Sequence, residues 1–320
     1  MKIAGIVSVI LLSCLHRANA WGFWGHKVIN RMACFTLPVE LFPFYKSNID
    51  YLTSHAVDPD KRRYSDPAEP PRHFIDIDHY GENPFDSIPA GWNDAVKKFT
   101  VDSLNKYGIV PWQINKVYYQ LVRAFESKDV KRILYYSANI GHYIADSHVP
   151  LHCSENYNGQ LTNQVGIHGF WESRLPELFG NDYDYFVGRA SFISDVQTFC
   201  WKTVQQSFAA LDSVLDFEKK LNDSFDKDKK YAFELRGNQL LKVYSYDYSE
   251  EFHSQLDGQV ERRMQAAILA VGSIWYTAWV NAGMPSLVSK KENEDDITIS
   301  EEIIEKADST KKYMNKRECE

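Results

Sequence analysis

Apolar residues recur at helical spacing along most of the chain, and this pattern predicts its main elements. Helices are predicted over residues 25–37, 39–51, 94–107, 113–127, 130–147, 170–178, 191–221 and 251–282. Residues 228–248 carry the weakest pattern, and no series of alternating apolar and polar residues indicates strands. We therefore expect an all-α fold, built as a single, mainly helical domain.

A proline-rich, charged segment over residues 57–90 interrupts the helical pattern. Proline removes a backbone donor and restricts the residue before it, so the segment is predicted to be a long ordered loop. Loops of this length inside a compact domain commonly carry function. The segment contains the run Lys61-Arg62-Arg63, which is either a solvated surface or a binding site for phosphate oxygens.

The two ends of the chain differ from its middle. Lys2, an apolar run over residues 3–15 and the sequence Ala-Asn-Ala at residues 18–20 are typical of a secretory signal and its cleavage site. The apolar run is shorter than the ~20 residues of a membrane-spanning helix. We expect residues 1–20 to be a signal peptide, residues 21–287 the folded domain, and residues 288–320 a charged, disordered tail.

A signal peptide would make the protein secreted or periplasmic. The alternative is a lipoprotein cleavage sequence at residues 11–14, which would anchor the protein through a lipid on Cys14. The other cysteines are Cys34, Cys153, Cys200 and Cys319. Four scattered cysteines allow three pairings, and the sequence selects none of them.

The bulk composition is that of an ordinary globular protein, with 320 residues of which 44% are hydrophobic and 25% charged. The net charge of −7 argues against broad, non-specific binding to a nucleic-acid backbone, which needs clustered Lys and Arg. It leaves open a metal-centred site for a phosphate ester. The sequence indicates no stable protein partner, and we expect a monomer.

The segment from His142 to Glu172 is rich in imidazoles and carboxylates. His142 and Asp146 are four residues apart, as are His168 and Glu172, and on a helix this spacing places two side chains on one face. His152 lies between the two pairs. A single pair of this kind is commonly a surface ion pair, but two pairs with a third histidine favour a metal site.

Two further histidines have neighbours that suit metal binding. His26 closes the sequence Trp-Gly-Phe-Trp-Gly-His at residues 21–26, and His73 lies fifteen residues after Asp58. The alternatives are a hydrogen-bonded loop histidine at 73 and a helix or turn cap at 58. Imidazole and carboxylate ligands without thiolates suit zinc in an open, catalytic site, so the expected cofactor is Zn²⁺.

These residues resemble the superfamily of zinc-dependent phospholipases C and single-strand-specific zinc nucleases. The opening sequence at residues 21–26 and the fifteen-residue step from Asp58 to His73 resemble the nuclease branch. Residues 141–152 resemble the family signature G-D-x-x-Q-P-L-H, with Ala145 where Gly is usual and Val where Gln is usual.

Other features resemble the phospholipase branch. Glu172 stands where the nuclease branch has Asp, and the interval from His152 to His168 is short. The sequence therefore combines features of both branches.

The resemblance implies a trinuclear zinc site at the bottom of a cleft. One ion would be bound by Asp58, His73, His142 and Asp146. A second ion would be bound by His152, His168 and Glu172. A third would be bound by His26, Asp146 and the backbone amine and carbonyl of Trp21. The amine is a ligand only after cleavage behind Ala20, because an amide nitrogen in the precursor is not a usable donor.

The resemblance also implies which residues act on the substrate. Asp146 would bridge two ions beside a metal-activated hydroxide, and Asp58 would orient the attacking water. The family's phosphate-contacting Arg, three residues after the first Asp, corresponds to Lys61, with Arg62 beside it as the better bidentate donor. Phe74 would stack on a base or line a lipid pocket, unless it packs in the core. The candidate catalytic residues are thus Asp58, Asp146, Lys61 and Arg62, and the candidate substrate contacts are Phe74 and Asp76.

Three functions remain open at this point, and the sequence favours the first of them. The first is a secreted zinc-dependent phosphodiester hydrolase of the nuclease type, cutting single-stranded DNA or RNA. The second is a phospholipase C acting on phospholipid head groups. The third is a non-catalytic zinc-binding protein, which is disfavoured because a site of three side chains leaves a zinc position open for water or substrate.

Overall fold

The computed structural model describes residues 22–287 of the chain. The predicted signal peptide (1–20), Trp21 and the predicted charged tail (288–320) lie outside the described residues. Within them the predicted all-α fold is confirmed, since helices dominate and the strands form a single two-stranded sheet. No helix of the described part is long and apolar enough to span a bilayer.

Fifteen α-helices follow one another in the described residues. They are α1 (Gly22–Ala33), α2 (Phe42–Ser47), α3 (Ile49–Ser54), α4 (Asp58–Arg62), α5 (Pro84–Ser87), α6 (Trp92–Phe99), α7 (Val101–Tyr107), α8 (Val110–Glu126), α9 (Val130–Ser147), α10 (Ile167–Gly169), α11 (Leu175–Phe179), α12 (Val196–Ala209), α13 (Leu211–Ser224), α14 (Tyr246–Gln255) and α15 (Gln259–Asn281). Short 3-10 turns at Pro70–His73 and Pro150–Cys153 and a π-helical turn at Phe170–Arg174 carry candidate ligands or adjoin them.

Four of the predicted helices are each divided into two. The breaks fall at Asn48 between α2 and α3, at Thr100 between α6 and α7, at Ala210 between α12 and α13, and near Gly258 before α15. Thr100 and Gly258 have positive φ angles of 67° and 70°, which a continuing α-helix does not allow. The apolar spacing runs on across the breaks because both halves face the same core, so periodicity alone did not reveal them.

Helices α1, α8, α9 and α15 pack against one another in the core. The Trp275 indole donates a hydrogen bond to the Ser137 carbonyl (3.1 Å), and Asn30 on α1 donates to the Ala138 carbonyl on α9 (3.1 Å). A Cβ at Gly141 would lie 2.0 Å from Asn30 Oδ1, so glycine is required where α1 crosses α9. This close crossing brings the candidate ligands of the two helices together.

The segment of weakest pattern contains a β-hairpin, which the sequence analysis did not predict. Strand β1 (Tyr231–Arg236) pairs antiparallel with β2 (Gln239–Tyr244) across a two-residue turn. Gly237 in the turn has a φ of 61°, as tight hairpin turns require. The prediction failed because the strands are short and their apolar residues point outwards rather than into a core.

The segment over residues 57–90, which was predicted as a long loop, contains the short helices α4 and α5 together with 3-10 turns. The thiols of Cys34, Cys153 and Cys200 are buried and form no disulfide among the described residues. Burial raises the pKa of Cys200 to about 12, so this thiol is unreactive in the folded protein. Cys319 lies outside the described residues.

Candidate metal centre

Helix α9 presents His142 and Asp146 on one face, as their spacing predicted. Both side chains are fully buried, and Asp146 Oδ2 lies 3.2 Å from His142 Nε2. A second histidine at this oxygen is His73, whose Nδ1 lies 2.9 Å from Asp146 Oδ2. His142 Nδ1 donates to the Ala56 carbonyl at 2.8 Å, which leaves the Nε2 lone pair directed towards the centre.

Helix α1 brings His26 to the same centre. The His26 ring stacks on His142 with ring centroids 3.9 Å apart, and its Nε2 lies 3.4 Å from Asp146 Oδ1. His26, His142 and Asp146 thus form one group whose ligand atoms lie within 4.8 Å of one another. Asp146 offers one oxygen towards His26 and the other towards His73, which is the arrangement expected of a bridging carboxylate.

The loop contributes Asp60 to the centre, whereas Asp58 lies outside it. Asp60 Oδ1 lies 3.7 Å from His142 Nε2 and 3.8 Å from His73 Nδ1, and the three residues form a second group within 4.8 Å. Asp58 is partly exposed and instead contacts His55 Nδ1 (2.5 Å) and Lys61 Nζ (2.9 Å).

The placement of Asp60 corrects the ligand set drawn from the sequence. Helix α4 begins at Asp58, and successive residues of a helix turn by about 100°, so residues 58 and 60 point to nearly opposite sides. Asp60 follows Asp58 by two positions, and only the orientation of α4 against α9 decides which of the two faces the centre.

His152, His168 and Glu172 form a third group beyond the bend after α9, which we call the third ligand group. Glu172 Oε2 is 3.1 Å from His168 Nε2 and 3.3 Å from His152 Nε2, and all three side chains are buried. His152 Nδ1 donates to the His73 carbonyl at 2.7 Å, so its Nε2 faces the group. Burial alone would raise the pKa of Glu172, but His168 and His152 lower it to about 2.

The donor atoms of these groups fit a bound cation. Within the described residues, both ring nitrogens of His26 and both carboxylate oxygens of Asp60 are buried without a hydrogen-bond partner. Burying such groups without hydrogen bonds is costly, and a cation at the centre would coordinate one nitrogen of His26 and the carboxylate of Asp60. Nitrogen and carboxylate donors without thiolates are the set that zinc takes in catalytic sites.

Comparison with known families agrees with this geometry. The sequence profile of the family described as zinc dependent phospholipase C matches residues 25–235, which include every described ligand candidate. The chain belongs to this family. It is therefore a zinc-dependent hydrolase of phosphoric esters. No curated protein matches the chain.

Sequence reasoning missed the buried carboxylate of Glu69, which contacts His73 on the side away from the centre. Glu69 Oε1 lies 3.4 Å from His73 Nε2 and accepts a short hydrogen bond from the Tyr143 hydroxyl, while Oε2 accepts from Arg72 at 2.7 Å. A carboxylate on the outer nitrogen of a ligand histidine fixes its ring and raises its basicity. The sequence Glu-Pro-Pro-Arg-His at residues 69–73 shows that Glu69 and His73 are four residues apart. It does not show that residues 70–73 form a 3-10 turn, which brings the two side chains together.

The structure places the remaining predicted site residues outside the three ligand groups. The Lys61 side chain is 56% exposed and pairs with Asp58. Arg62 donates to Asn139 Oδ1 (2.5 Å) and lines a cavity of about 250 Å³ on the far side of Glu69. Phe74 and Asp76 are buried, at 4% and 6% exposure. Their roles as substrate contacts remain predictions, as does ligation by Trp21.

Metal removal should destabilise the protein. An ion held a thousandfold above its Kd stabilises the folded state by about 4 kcal/mol, or roughly 8–16 °C in Tm for a domain of this size. Scanning calorimetry with EDTA and then with added zinc measures this shift, with calcium as the control ion. Equal Tm values in EDTA and in zinc would contradict a zinc site at these residues.

Replacing Glu69 with Gln should weaken zinc binding about 10- to 100-fold, because His73 loses its charged partner while the volume is kept. Zinc affinity by competition with a chromophoric chelator measures the effect. Glu218→Gln is the matched control, since Glu218 is equally buried but bonds Lys230 and Tyr248 away from the centre. If both variants bind zinc like the parent protein, Glu69 does not position His73.

Proposed function

We propose that this zinc-dependent hydrolase is a phospholipase C, which cleaves the bond between glycerol oxygen and phosphorus in a phospholipid. The observation that carries the proposal is Glu172, which lies within 3.3 Å of both histidines of its group. Glu at this position resembles the phospholipase branch of the superfamily, whereas the nuclease branch has Asp. The short interval from His152 to His168 supports the same branch.

The position of Asp60 removes one argument for a nuclease. The resemblance to the nuclease branch used a fifteen-residue step to His73, but the carboxylate beside His73 belongs to Asp60, thirteen residues before it. Three residues after Asp60 stands Arg63, whose Nη1 lies 3.5 Å from Asp60 Oδ1. We infer that Arg63, rather than Lys61, corresponds to the family's phosphate-contacting Arg.

In the proposed mechanism the residues of this chain bind and orient the reacting groups. Bound zinc would supply an activated water and neutralise the charge that develops on the phosphoryl oxygens. Asp146 holds the His26 and His73 sides of the centre at a fixed separation, and Arg63 is placed to hold a phosphate oxygen. Water attacks phosphorus, the bond to the glycerol oxygen breaks, and that oxygen takes a proton, giving a diacylglycerol and a phosphorylated head group.

A second candidate is hydrolysis of single-stranded nucleic acid. The sequence Trp-Gly-x-x-Gly-His at residues 21–26 favours it, because it resembles the opening of the nuclease branch. A nuclease and a phospholipase C would differ in their substrate alone, since both reactions displace an oxygen from the phosphorus of a phosphodiester.

One assay distinguishes these functions. Zinc-loaded protein is incubated with phosphatidylcholine, single-stranded DNA and RNA side by side, each with and without chelator. We expect chelator-sensitive release of phosphocholine and no cleavage of either nucleic acid. Cleavage of nucleic acid alone would replace the proposal by the second candidate. Full zinc content with no turnover of any substrate would favour a non-catalytic zinc-binding protein.

We further propose that the mature, exported chain begins at Trp21 and holds three zinc ions, the third through its new amine. The group of His26, His142 and Asp146 supports this, since α1 begins at Gly22 and carries His26 one turn later. Elemental analysis of the chain starting at Trp21, and of the same chain with one extra N-terminal residue, should give three and two zinc ions. Three ions in both would contradict a role for the amine.

A further inference from the structure

The β-hairpin exposes large apolar side chains on one face. The register pairs Phe233 with Lys242 and Leu235 with Leu240, so these four residues point the same way. Phe233, Leu235 and Leu240 are 68%, 72% and 66% exposed. Tyr231, at the base of the same face, is also exposed. We call this set the apolar face of the hairpin.

Exposing this apolar face to water does not stabilise a two-stranded hairpin, so the face is expected to have another role. Isolated hairpins are marginally stable, and contiguous exposed apolar surface usually marks an interaction site. The opposite face of the hairpin carries Glu234 and Leu241, which are half-buried against the domain. Tyr244, which pairs with Tyr231 at the base of the apolar face, is also half-buried. The hairpin is therefore anchored by its opposite face and by its base, and it exposes the apolar residues nearer its turn.

The anchor of the hairpin is the segment that carries the third ligand group. Arg174, two residues after Glu172, donates to Glu234 Oε2 at 2.9 Å and to the Tyr244 carbonyl at 3.2 Å. Phe170, two residues after His168, stacks on the Tyr244 ring with centroids 3.9 Å apart. These contacts hold the apolar face in a fixed position relative to His168 and Glu172.

The apolar face carries one cation, Lys242, and no acidic side chain, although the whole chain carries −7. Residues 226–242 contain five cationic and three acidic side chains, and two of these cations pair with acids of other elements, Lys230 with Glu218 and Arg236 with Glu177. Lys242 lies on the apolar face itself, with its ammonium 3.8 Å from the Tyr231 ring centroid. Aliphatic and aromatic side chains beside lysine suit the boundary between acyl chains and anionic head groups.

We propose that the apolar face of the hairpin docks the protein on a phospholipid surface, with Phe233, Leu235 and Leu240 entering the acyl region. This proposal rests on the proposed phospholipase C function, because it explains how lipid at a surface reaches the third ligand group. Lys242 contacts the head groups, and the bonds of Arg174 set the distance from the surface to Glu172.

A second copy of the chain is a poorer occupant of the apolar face. Two copies related by a two-fold axis would bring equivalent residues close together, so Lys242 of one copy would face cations of the other. An anionic lipid surface meets the same residues with opposite charge. The charge pattern thus favours a membrane over self-association.

The test compares Phe233→Asp/Leu235→Asp with Val39→Asp. Val39 is 77% exposed and lies in a turn far along the chain from the hairpin, so its variant adds an acidic group at an exposed apolar site of another element. Binding is measured by sedimentation with vesicles of phosphatidylcholine and phosphatidylserine. We expect the hairpin variant to bind at least about tenfold more weakly, since each apolar side chain contributes to insertion. Val39→Asp should bind like the parent protein.

Turnover separates this proposal from the proposed function. We expect the hairpin variant to keep its zinc content and its kcat on a short-chain phosphatidylcholine below its micellar concentration, while losing activity on vesicles. Equal vesicle binding by the parent and the hairpin variant would overturn docking, whatever the protein hydrolyses. Vesicle binding lost in the hairpin variant of a protein that cleaves only nucleic acid would support docking and refute the phospholipase C. A parent dimer that the hairpin variant converts to a monomer would overturn docking in favour of a second copy.

Discussion

Asp146→Asn should lower turnover by roughly a thousandfold or more and reduce the zinc content of the protein. Asp146 lies at the junction of two ligand groups, with one oxygen 3.4 Å from His26 and the other 2.9 Å from His73. Asn keeps the shape but removes the charge and one acceptor. A loss of about 4 kcal/mol of charge stabilisation corresponds to roughly a thousandfold in rate.

The measurement is kcat/KM together with elemental analysis of the purified variant. Asp195→Asn is the matched control, because Asp195 caps α12 on the surface and Asn is an equally good cap. Near-normal turnover of Asp146→Asn with full zinc content would contradict the assignment of the centre to these residues.

Asp60→Asn and Asp58→Asn should differ sharply although the two positions are separated by a single residue. Asp60 is buried between His73 and His142, so its loss should lower activity by roughly two to three orders of magnitude. Asp58 faces Lys61 and His55 at the surface, and its exposed ion pair is worth little. We expect Asp58→Asn to stay within about threefold of the parent protein.

Measuring zinc affinity together with activity shows whether a loss of activity is caused by weaker zinc binding. Asp60→Asn should bind zinc more weakly, whereas Asp58→Asn should be fully loaded. The opposite ranking would mean that the carboxylate of the long loop that serves the centre is Asp58, as the spacing to His73 had predicted.

Two of the ligand pairs could be predicted from their spacing along the chain. The pairs His142/Asp146 and His168/Glu172 were predicted from a separation of four residues, and the structure brings each pair within 3.2 Å. Such spacing works because one helical turn fixes the direction of both side chains. His152 belongs to no such pair and was predicted as a ligand because it lies between the two pairs in the sequence.

The loop residues could not be placed in this way. Asp58 and Asp60 are both acidic, both precede His73, and both lie in a segment whose helical turn was not predicted. The outer partner Glu69 was missed for the same reason, since its contact with His73 depends on the turn at Pro70–His73. Where the chain is irregular, sequence distance does not fix side-chain direction.

The sequence by itself determined the all-α class and the zinc chemistry of the family, and it predicted most of the side chains that the structure gathers into the three groups. These follow from periodicity and from residue types, which are local properties. The tertiary structure alone decided that Asp60, rather than Asp58, lies beside His73, that Glu69 contacts His73, and that a hairpin exposes large apolar side chains. Each of these depends on how distant elements pack, and packing is set by contacts between residues far apart in the chain.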